Sequence, residues 1–179
     1  MHYAGRNGHK DIVNLLIAKG ADVNAKNGEG LMPLDIAINA NHRDIVELLI
    51  AKGAEVSIHT AVRLGDVDRI RSVLEKGADV NAQDKNGVTP LHLATNKDVA
   101  ELLLAKGADI KAKDQNGKTP LDAAMQEYRQ ETAKLLVAKG AEVSVHVAAF
   151  IGDVDKVKDF IGQGGSVDTA DAEGQTLLH

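Results

Sequence analysis

One recurring tetrapeptide constrains the fold of this chain more than any other feature. Ala-Lys-Gly-Ala begins at Ala18, Ala51, Ala105 and Ala138, with the variants Glu-Lys-Gly-Ala at Glu75 and Gly-Gln-Gly-Gly at Gly162. Its glycines, Gly20, Gly53, Gly77, Gly107, Gly140 and Gly164, stand 33, 24, 30, 33 and 24 residues apart, so the base period is 33. Repeats of this length belong to solenoids, in which each unit buries its apolar face only against its neighbours. Each glycine closes a segment such as DIVNLLIAKG, where Val13, Leu16, Ile17 and Gly20 fall at i, i+3, i+4 and i+7, the stripe of an amphipathic helix. Asp11 starts that helix and Gly20 stops it. An aspartate there accepts from unpaired amides, and glycine takes the left-handed conformation that follows a helix C-terminus. DIVELLIAKG, DRIRSVLEKG, DVAELLLAKG and DKVKDFIGQG are its equivalents.

Three junctions after these glycines read EGLMPLD, NGVTPLH and NGKTPLD, and they hold all three prolines, Pro33, Pro90 and Pro120. Asn-Gly predicts a hairpin tip, and Thr-Pro predicts an N-cap followed by the first helical residue. Each unit is therefore expected to be a β-hairpin finger, a short helix, a turn and a second helix. NAQDKNGVTPLHLA followed by DVAELLLAKGAD resembles the ankyrin repeat, from the TPLH box to the closing Gly-Ala-Asp. The resemblance runs from Met1 to His179. It implies an all-α ankyrin solenoid of helix pairs with β-hairpin fingers, forming one domain of units at about 1–26, 27–57, 58–83, 84–113, 114–144 and 145–170, with a partial unit at 171–179.

The departures from that pattern are informative. At Ser57 and Ser144 a 24-residue interval leaves no room for a finger, and each serine is expected to cap the next helix instead. The four residues after Gly53 reach about 13 Å when extended, enough to join helices packed about 10 Å apart. Because 144 − 57 = 87 and the register continues, with His59 matching His146, the array is a super-repeat of three units. The first helix of the fourth unit lacks three residues and should be a stub. Tyr128 stands where Gly8, Gly65 and Gly152 stand elsewhere, so that turn is expected to find another residue for any positive φ. The ends, Met1-His2 and Thr176–His179, break within the TPLH box, as expected of a fragment of a longer array or of ends that stack.

Composition removes several classes of function. Without cysteine there are no disulfides, thiolate metal sites or thiol nucleophiles. A net charge of −5 argues against a general nucleic-acid or anionic-membrane binder, and no apolar run reaches the length of a membrane span. Neither does the N-terminus carry a secretory signal, so a cytoplasmic location is expected. No cofactor, metal or catalytic residue is expected. His2, His59, His92, His146 and His179 share the TPLH histidine position, which the resemblance assigns to hydrogen bonds with the backbone of the neighbouring repeat; Asp35 and Asp122 replace it in two units. Asp66-Val67-Asp68 and Asp153-Val154-Asp155 precede helices and read as caps. Asp84–Gly87 and Asp114–Gly117 open like calcium loops but lack the closing glutamate, with Thr95 and Met125 in its place. Gly162–Gly165 follows a helix and lacks the Lys-Ser/Thr of a phosphate loop, so it reads as a helix terminus. Lys19, Lys52, Lys76, Lys106 and Lys139 form a row that suits the helix C-termini or an acidic partner, with Asp22, Glu55, Asp79, Asp109 and Glu142 three residues on as candidate neutralisers.

The resemblance places partner contacts on finger tips and on the concave side of the first helices. The finger positions are Glu29, Leu31, Lys85, Asn86, Val88, Gln115, Asn116 and Lys118. Those on first helices are Arg6, Asn7, Asn39, Arg63, Leu64, Gln126, Glu127, Phe150 and Ile151. Leu64, Phe150 and Ile151 fit either an interface anchor or packing on the preceding unit where the finger is missing. The expected function is non-enzymatic binding of a protein partner. Head-to-tail self-assembly through the ends, or recognition within a larger enzyme or effector, are the alternatives.

Overall fold

The computed structural model describes residues 1–171 and 174–177. Helices pair along the chain: α1 (His2–Arg6) with α2 (Lys10–Ala18), α3 (Pro33–Asn39) with α4 (Arg43–Ala51), and α5 (Ile58–Leu64) with α6 (Val67–Glu75). A 3-10 turn (Pro90–Leu93) then precedes α7 (Lys97–Ala105), followed by α8 (Pro120–Gln126) with α9 (Gln130–Ala138) and α10 (Val145–Ile151) with α11 (Val154–Gly162). Both bounds of α2 to α6 recur 87 residues later in α7 to α11, so the super-repeat is a property of the fold. The counterpart of α1 is the 3-10 turn, the expected stub. First helices stack on first helices, α1 on α3 and α5 on the 3-10 turn and that on α8, while α2 packs on α4 and α6 on α7 and α7 on α9.

Local chemistry sets the boundaries. The six helix-closing glycines have φ between 83° and 100°, which a β-carbon would penalise. Ser57 Oγ accepts from the Thr60 N–H at 3.1 Å, and Ser144 Oγ from the Val147 N–H at 3.2 Å, so both serines are the replacement caps. Asp11 is not a cap: α2 and α4 start one residue earlier, after His9 and His42, and Asp11 and Asp44 lie in the first turn. There they act on the helix dipole rather than as acceptors.

Two expectations need correction. Tyr128 itself takes φ 54°, and Asn41 φ 57° in the second unit. The reason is the hydrogen bonding on either side, Tyr128 N–H to Met125 O at 3.0 Å and Arg129 N–H to Ala124 O at 2.8 Å, which demands a left-handed residue at this place whatever its side chain. The fingers are not β-hairpins, and among the described residues the only bridge is Ala170 with Thr176. Each finger closes on itself through a single arm-to-arm bond, Asp84 N–H to Val88 O and Asp114 N–H to Lys118 O at 3.0 Å, too little pairing for strands, and the missing fingers leave only 84–88 and 114–118 side by side. These two meet through one backbone bond, Gln115 N–H to Asn86 O at 2.9 Å.

The aliphatic core divides at the first fingerless junction. Val13, Leu34, Ile45, Val46, Leu49 and Ala54 belong to one cluster, and Ile58, Val62, Ile70, Leu91, Leu103, Leu121, Leu136 and Val147 to another. Val56 packs against both. Fully buried leucines such as Leu49, Leu103 and Leu136 each contribute about 1.5–3 kcal/mol. The second fingerless junction shows no such division, because Val147 is apolar where Thr60 is polar. Thr60 Oγ1 instead donates to Asp35 Oδ1 at 3.1 Å and lies 2.8 Å from Ser57 Oγ, a polar joint between the clusters. One substitution in the tetrapeptide also has a packing cause: a β-carbon at Gly165, alanine in the other copies, would collide with the ring of Phe160.

Candidate interaction surface

The fingers are shaped by one acidic or amide side chain each. Asp84 Oδ1 accepts from the Asn86 and Val88 N–H groups at 2.8 and 3.0 Å, and Asp114 Oδ1 from Asn116 and Lys118 at 2.8 and 2.9 Å. Asn27 does the same for Glu29 and Leu31, at 2.9 Å each. The Lys118 N–H, with a smaller part from Asn116, holds the Asp114 carboxyl below the usual aspartate range. Turn-shaping thus accounts for the aspartates that open like calcium loops. Asp66 and Asp153 cap α6 and α11, accepting from Arg69 and Lys156 N–H at 3.0 and 3.2 Å.

Histidines then tie three fingers to the unit before them. His2 Nε2 meets Leu31 O at 3.1 Å, His59 meets Val88 O at 2.9 Å and His92 meets Lys118 O at 2.9 Å, whereas His146 meets Thr169 O at 3.0 Å, ahead of the counterpart finger. His179 lies outside the described residues, as does Leu178, so only part of the C-terminal half-box bears on head-to-tail stacking. Aspartate replaces histidine in the second and fifth units alone, the two whose successor has no finger. There is no finger carbonyl to reach: Asp35 Oδ2 accepts from Met32 N–H at 3.0 Å and Asp122 Oδ2 from Thr119 N–H at 2.8 Å, while Asp35 Oδ1 also takes the Thr60 hydroxyl of the next unit at 3.1 Å.

With folding assigned to those side chains, the tips are left to solvent. Glu29, Lys85, Asn86, Gln115 and Asn116 on the fingers and Arg6, Asn7, Asn39, Gln126 and Glu127 on first helices are exposed. Leu31, Val88 and Lys118 at the finger bases are half-buried. So are Arg63, Leu64, Phe150 and Ile151; Leu64 packs against the N-terminal cluster, and Phe150 and Ile151 against the C-terminal one. Some of these positions are brought together. Arg63 Nη1 donates to Asn39 Oδ1 at 3.0 Å, and Gln115 Nε2 to Lys85 O at 2.8 Å. Arg6 and Glu29 line a shallow hollow with Tyr3, Asn27 and Ile36. Arg6 and Phe150 are far apart along the array, so the positions form a discontinuous strip.

Sequence reasoning passed over Tyr128 as a contact residue. It is 78% exposed, one of four phenylalanines and tyrosines in the chain, and held at a positive φ beside Gln126 and Glu127. A left-handed φ strains a non-glycine residue, and the loss of a turn glycine was its signal in the sequence. The lysine row is also clearer in three dimensions. None of Lys19, Lys52, Lys76, Lys106 and Lys139 enters an ion pair among the described residues, while Asp22, Asp79 and Asp109 accept from the N–H groups of Asn24, Asn81 and Lys111. Among the described residues no helix is long and apolar enough to cross a membrane.

Known proteins share this arrangement. The family described as ankyrin repeats (3 copies) matches residues 1–59 and again 58–146. A fowlpox virus ankyrin repeat protein is 34% identical over 101 residues, 52% of this chain and 72% of that protein. A Caenorhabditis elegans homologue of the transient receptor potential cation channel subfamily A member 1 is 31% identical over 130 residues, 68% of this chain but 8% of the channel. An Arabidopsis thaliana E3 ubiquitin-protein ligase is 28% identical over 148 residues, 69% of this chain and 9% of the ligase. The chain thus spans most of the viral relative and a small part of the channel and the ligase. With helix pairs closed by left-handed glycines, TPLH histidines bonded to the next finger, and matches over most of its length, the chain belongs to the ankyrin-repeat family.

Proposed function

We propose that this array is a non-catalytic module that holds a protein partner against the finger tips and the turn ends of its first helices. Ankyrin repeats are generally protein-interaction modules, and the supporting observation specific to this chain is the segment Gln126-Glu127-Tyr128. An aromatic ring there is exposed at a place where other units use glycine or asparagine, and the fold gains nothing from it. Aromatic anchors carry a large share of interface energy. The same reading suits Lys85, Asn86, Gln115 and Asn116, whose side chains are outside the hydrogen bonds that shape the turns.

The test is site-specific photo-crosslinking in the native host. A photoreactive phenylalanine analogue replaces Tyr128 in one variant and exposed Asn14, on α2, in another. Discrete adducts with a protein from position 128, reduced by Glu127→Lys and absent from position 14, are the expected result. Equal adducts from both positions, or none from position 128, would exclude this surface. Tyr128→Gly should meanwhile stabilise the fold by about 1 kcal/mol by relieving the left-handed strain.

A further inference from the structure

Large apolar side chains that stay exposed in a cluster mark a surface that something covers. Among the described residues, Tyr3 and Tyr128 aside, they fall on two helix faces: Ile12 and Leu15 on α2, and Val154 and Ile161 on α11 with Val167 just after it. The 87-residue register gives each of them a counterpart at the junction of the third and fourth units. Ile12 and Leu15 correspond to Val99 and Leu102 on α7, and Val154, Ile161 and Val167 to Val67, Leu74 and Val80 on and after α6. Those counterparts pack together. Val99 and Leu102 are 0% and 7% exposed, against 47% and 58% for Ile12 and Leu15. Val67, Leu74 and Val80 pack against the cluster that holds Val99 and Leu102, where α6 meets α7. The two open faces are thus the two halves of a joint that is already closed inside the chain.

We propose that a second copy of this chain covers these faces, with α11 of one copy packed on α2 of the next in the register that α6 keeps with α7. Each face fits a surface that the chain itself presents, in residue type and in spacing, which favours a copy over an unrelated partner. The contact joins two different patches, so it is heterologous and leaves one open face at each end of any assembly. Copies added this way continue the solenoid and repeat the strip of finger tips along it. The inference goes beyond the partner-binding reading and does not rest on it.

The polar edge of the internal joint is repeated too, with one change. Asn81 bridges the third and fourth units: its Oδ1 accepts from the Asp109 N–H at 2.8 Å and its Nδ2 donates to Gly107 O at 3.1 Å. On the open faces Asp168 stands for Asn81, and Asp22 and Gly20 stand for Asp109 and Gly107. The turns before them are built alike, with the Asn81 N–H on Asp79 Oδ1 at 2.8 Å and the Asp168 N–H on Ser166 Oγ at 3.2 Å. A carboxylate accepts hydrogen bonds but donates none. Asp168 can therefore take the Asp22 N–H of the next copy while Gly20 O goes without its donor. The joint between copies is accordingly weaker than the internal one, and association is reversible.

Analytical ultracentrifugation of the full chain, from about 1 μM to about 1 mM, tests this. The mean mass should rise with concentration. Leu15→Glu and Ile161→Glu, at side chains exposed in the single chain, should each weaken association more than about tenfold by placing a charge in the joint, with Tm unchanged by circular dichroism. An equimolar mixture of the two variants should form a dimer and nothing larger, because it holds one intact pair of faces. Tyr128→Ser, away from both faces, should change nothing. Asp168→Asn should tighten association about fivefold, the worth of one hydrogen bond. A single-chain mass at every concentration would overturn the proposal and leave the faces to adjoining repeats of a longer chain. So would association that survives Leu15→Glu and Ile161→Glu, a mixture of the two that stays unassociated, or an Asp168→Asn protein that associates no more tightly than the parent.

Discussion

Replacing His92 with aspartate separates the bond between units from the cap within one. His92 is 4% exposed; its Nδ1 lies 3.2 Å from Thr89 N and 2.8 Å from Thr89 Oγ1. A backbone N–H can only donate, so Nδ1 accepts, and the proton on Nε2 goes to the Lys118 carbonyl at 2.9 Å. Aspartate preserves the first role, as Asp122 does with Thr119 N–H and Oγ1 at 2.8 and 2.7 Å. It has neither the reach nor the proton for the second. Losing a neutral hydrogen bond costs about 0.5–1.5 kcal/mol, and the half-buried Lys118 carbonyl keeps a second donor, the Asp114 N–H at 3.0 Å, so no penalty for an unpaired acceptor is added. We therefore expect His92→Asp to cost about 1–1.5 kcal/mol, and at about 2–4 °C per kcal/mol for a chain of this size the Tm should fall by about 2–6 °C. Asp122→His is the control, since the unit after it has no finger for the ring to reach; it should change Tm by less than about 2 °C. Circular dichroism at 222 nm through thermal and urea unfolding reads both. Amide exchange should accelerate at Gly117 and Lys118 in His92→Asp, because the finger loses its tie. A His92→Asp protein as stable as the parent, with unchanged exchange at those amides, would refute the idea that the histidine holds the next finger.

Three further perturbations test other parts of the reasoning. Gly165→Ala should destabilise by about 1–3 kcal/mol through collision with Phe160, and adding Phe160→Leu should recover most of it; calorimetry that finds the single variant neutral would sink the packing account. Ser57→Ala and Ser144→Ala should each cost about 1 kcal/mol in urea unfolding for loss of an N-cap. Of the two, Ser57→Ala should cost more, since Ser57 also meets Thr60 in the joint to Asp35. Asp114 should titrate below ordinary aspartates by carbon-detected NMR, because its charged form accepts the Lys118 and Asn116 N–H groups. A folded-state pKa below the unfolded one means its contribution is present above the unfolded pKa and fades as pH falls through the folded one; a midpoint at or above the ordinary value would contradict the hydrogen bonds.

Much of this protein was legible before any coordinates. The glycines that close second helices, the proline starts, the serine caps at 57 and 144 and the 87-residue register are all local or periodic features, and each has a residue type that only one backbone state suits. The positive φ of Tyr128 was not legible, because two backbone hydrogen bonds impose it against the preference of the side chain. Nor was the absence of strands among the described residues, since Asn-Gly specifies a turn while a ladder depends on further pairing between the arms beyond it.

The candidate surface divides in the same way. Sequence position identified the exposed tips at Lys85, Asn86, Gln115 and Asn116, because their neighbours Asp84 and Asp114 carry the turn. It left Phe150 and Ile151 undecided, since burial depends on which residues the adjoining unit presents. The sequence by itself determined the repeat, its period and the glycine ends of the second helices, because these arise from interactions within a few residues. Only the tertiary structure decided which histidines have a carbonyl to reach, where the core divides, and which lysines remain unpaired. Those outcomes depend on the neighbouring unit, and in a solenoid the neighbour is what each unit lacks on its own.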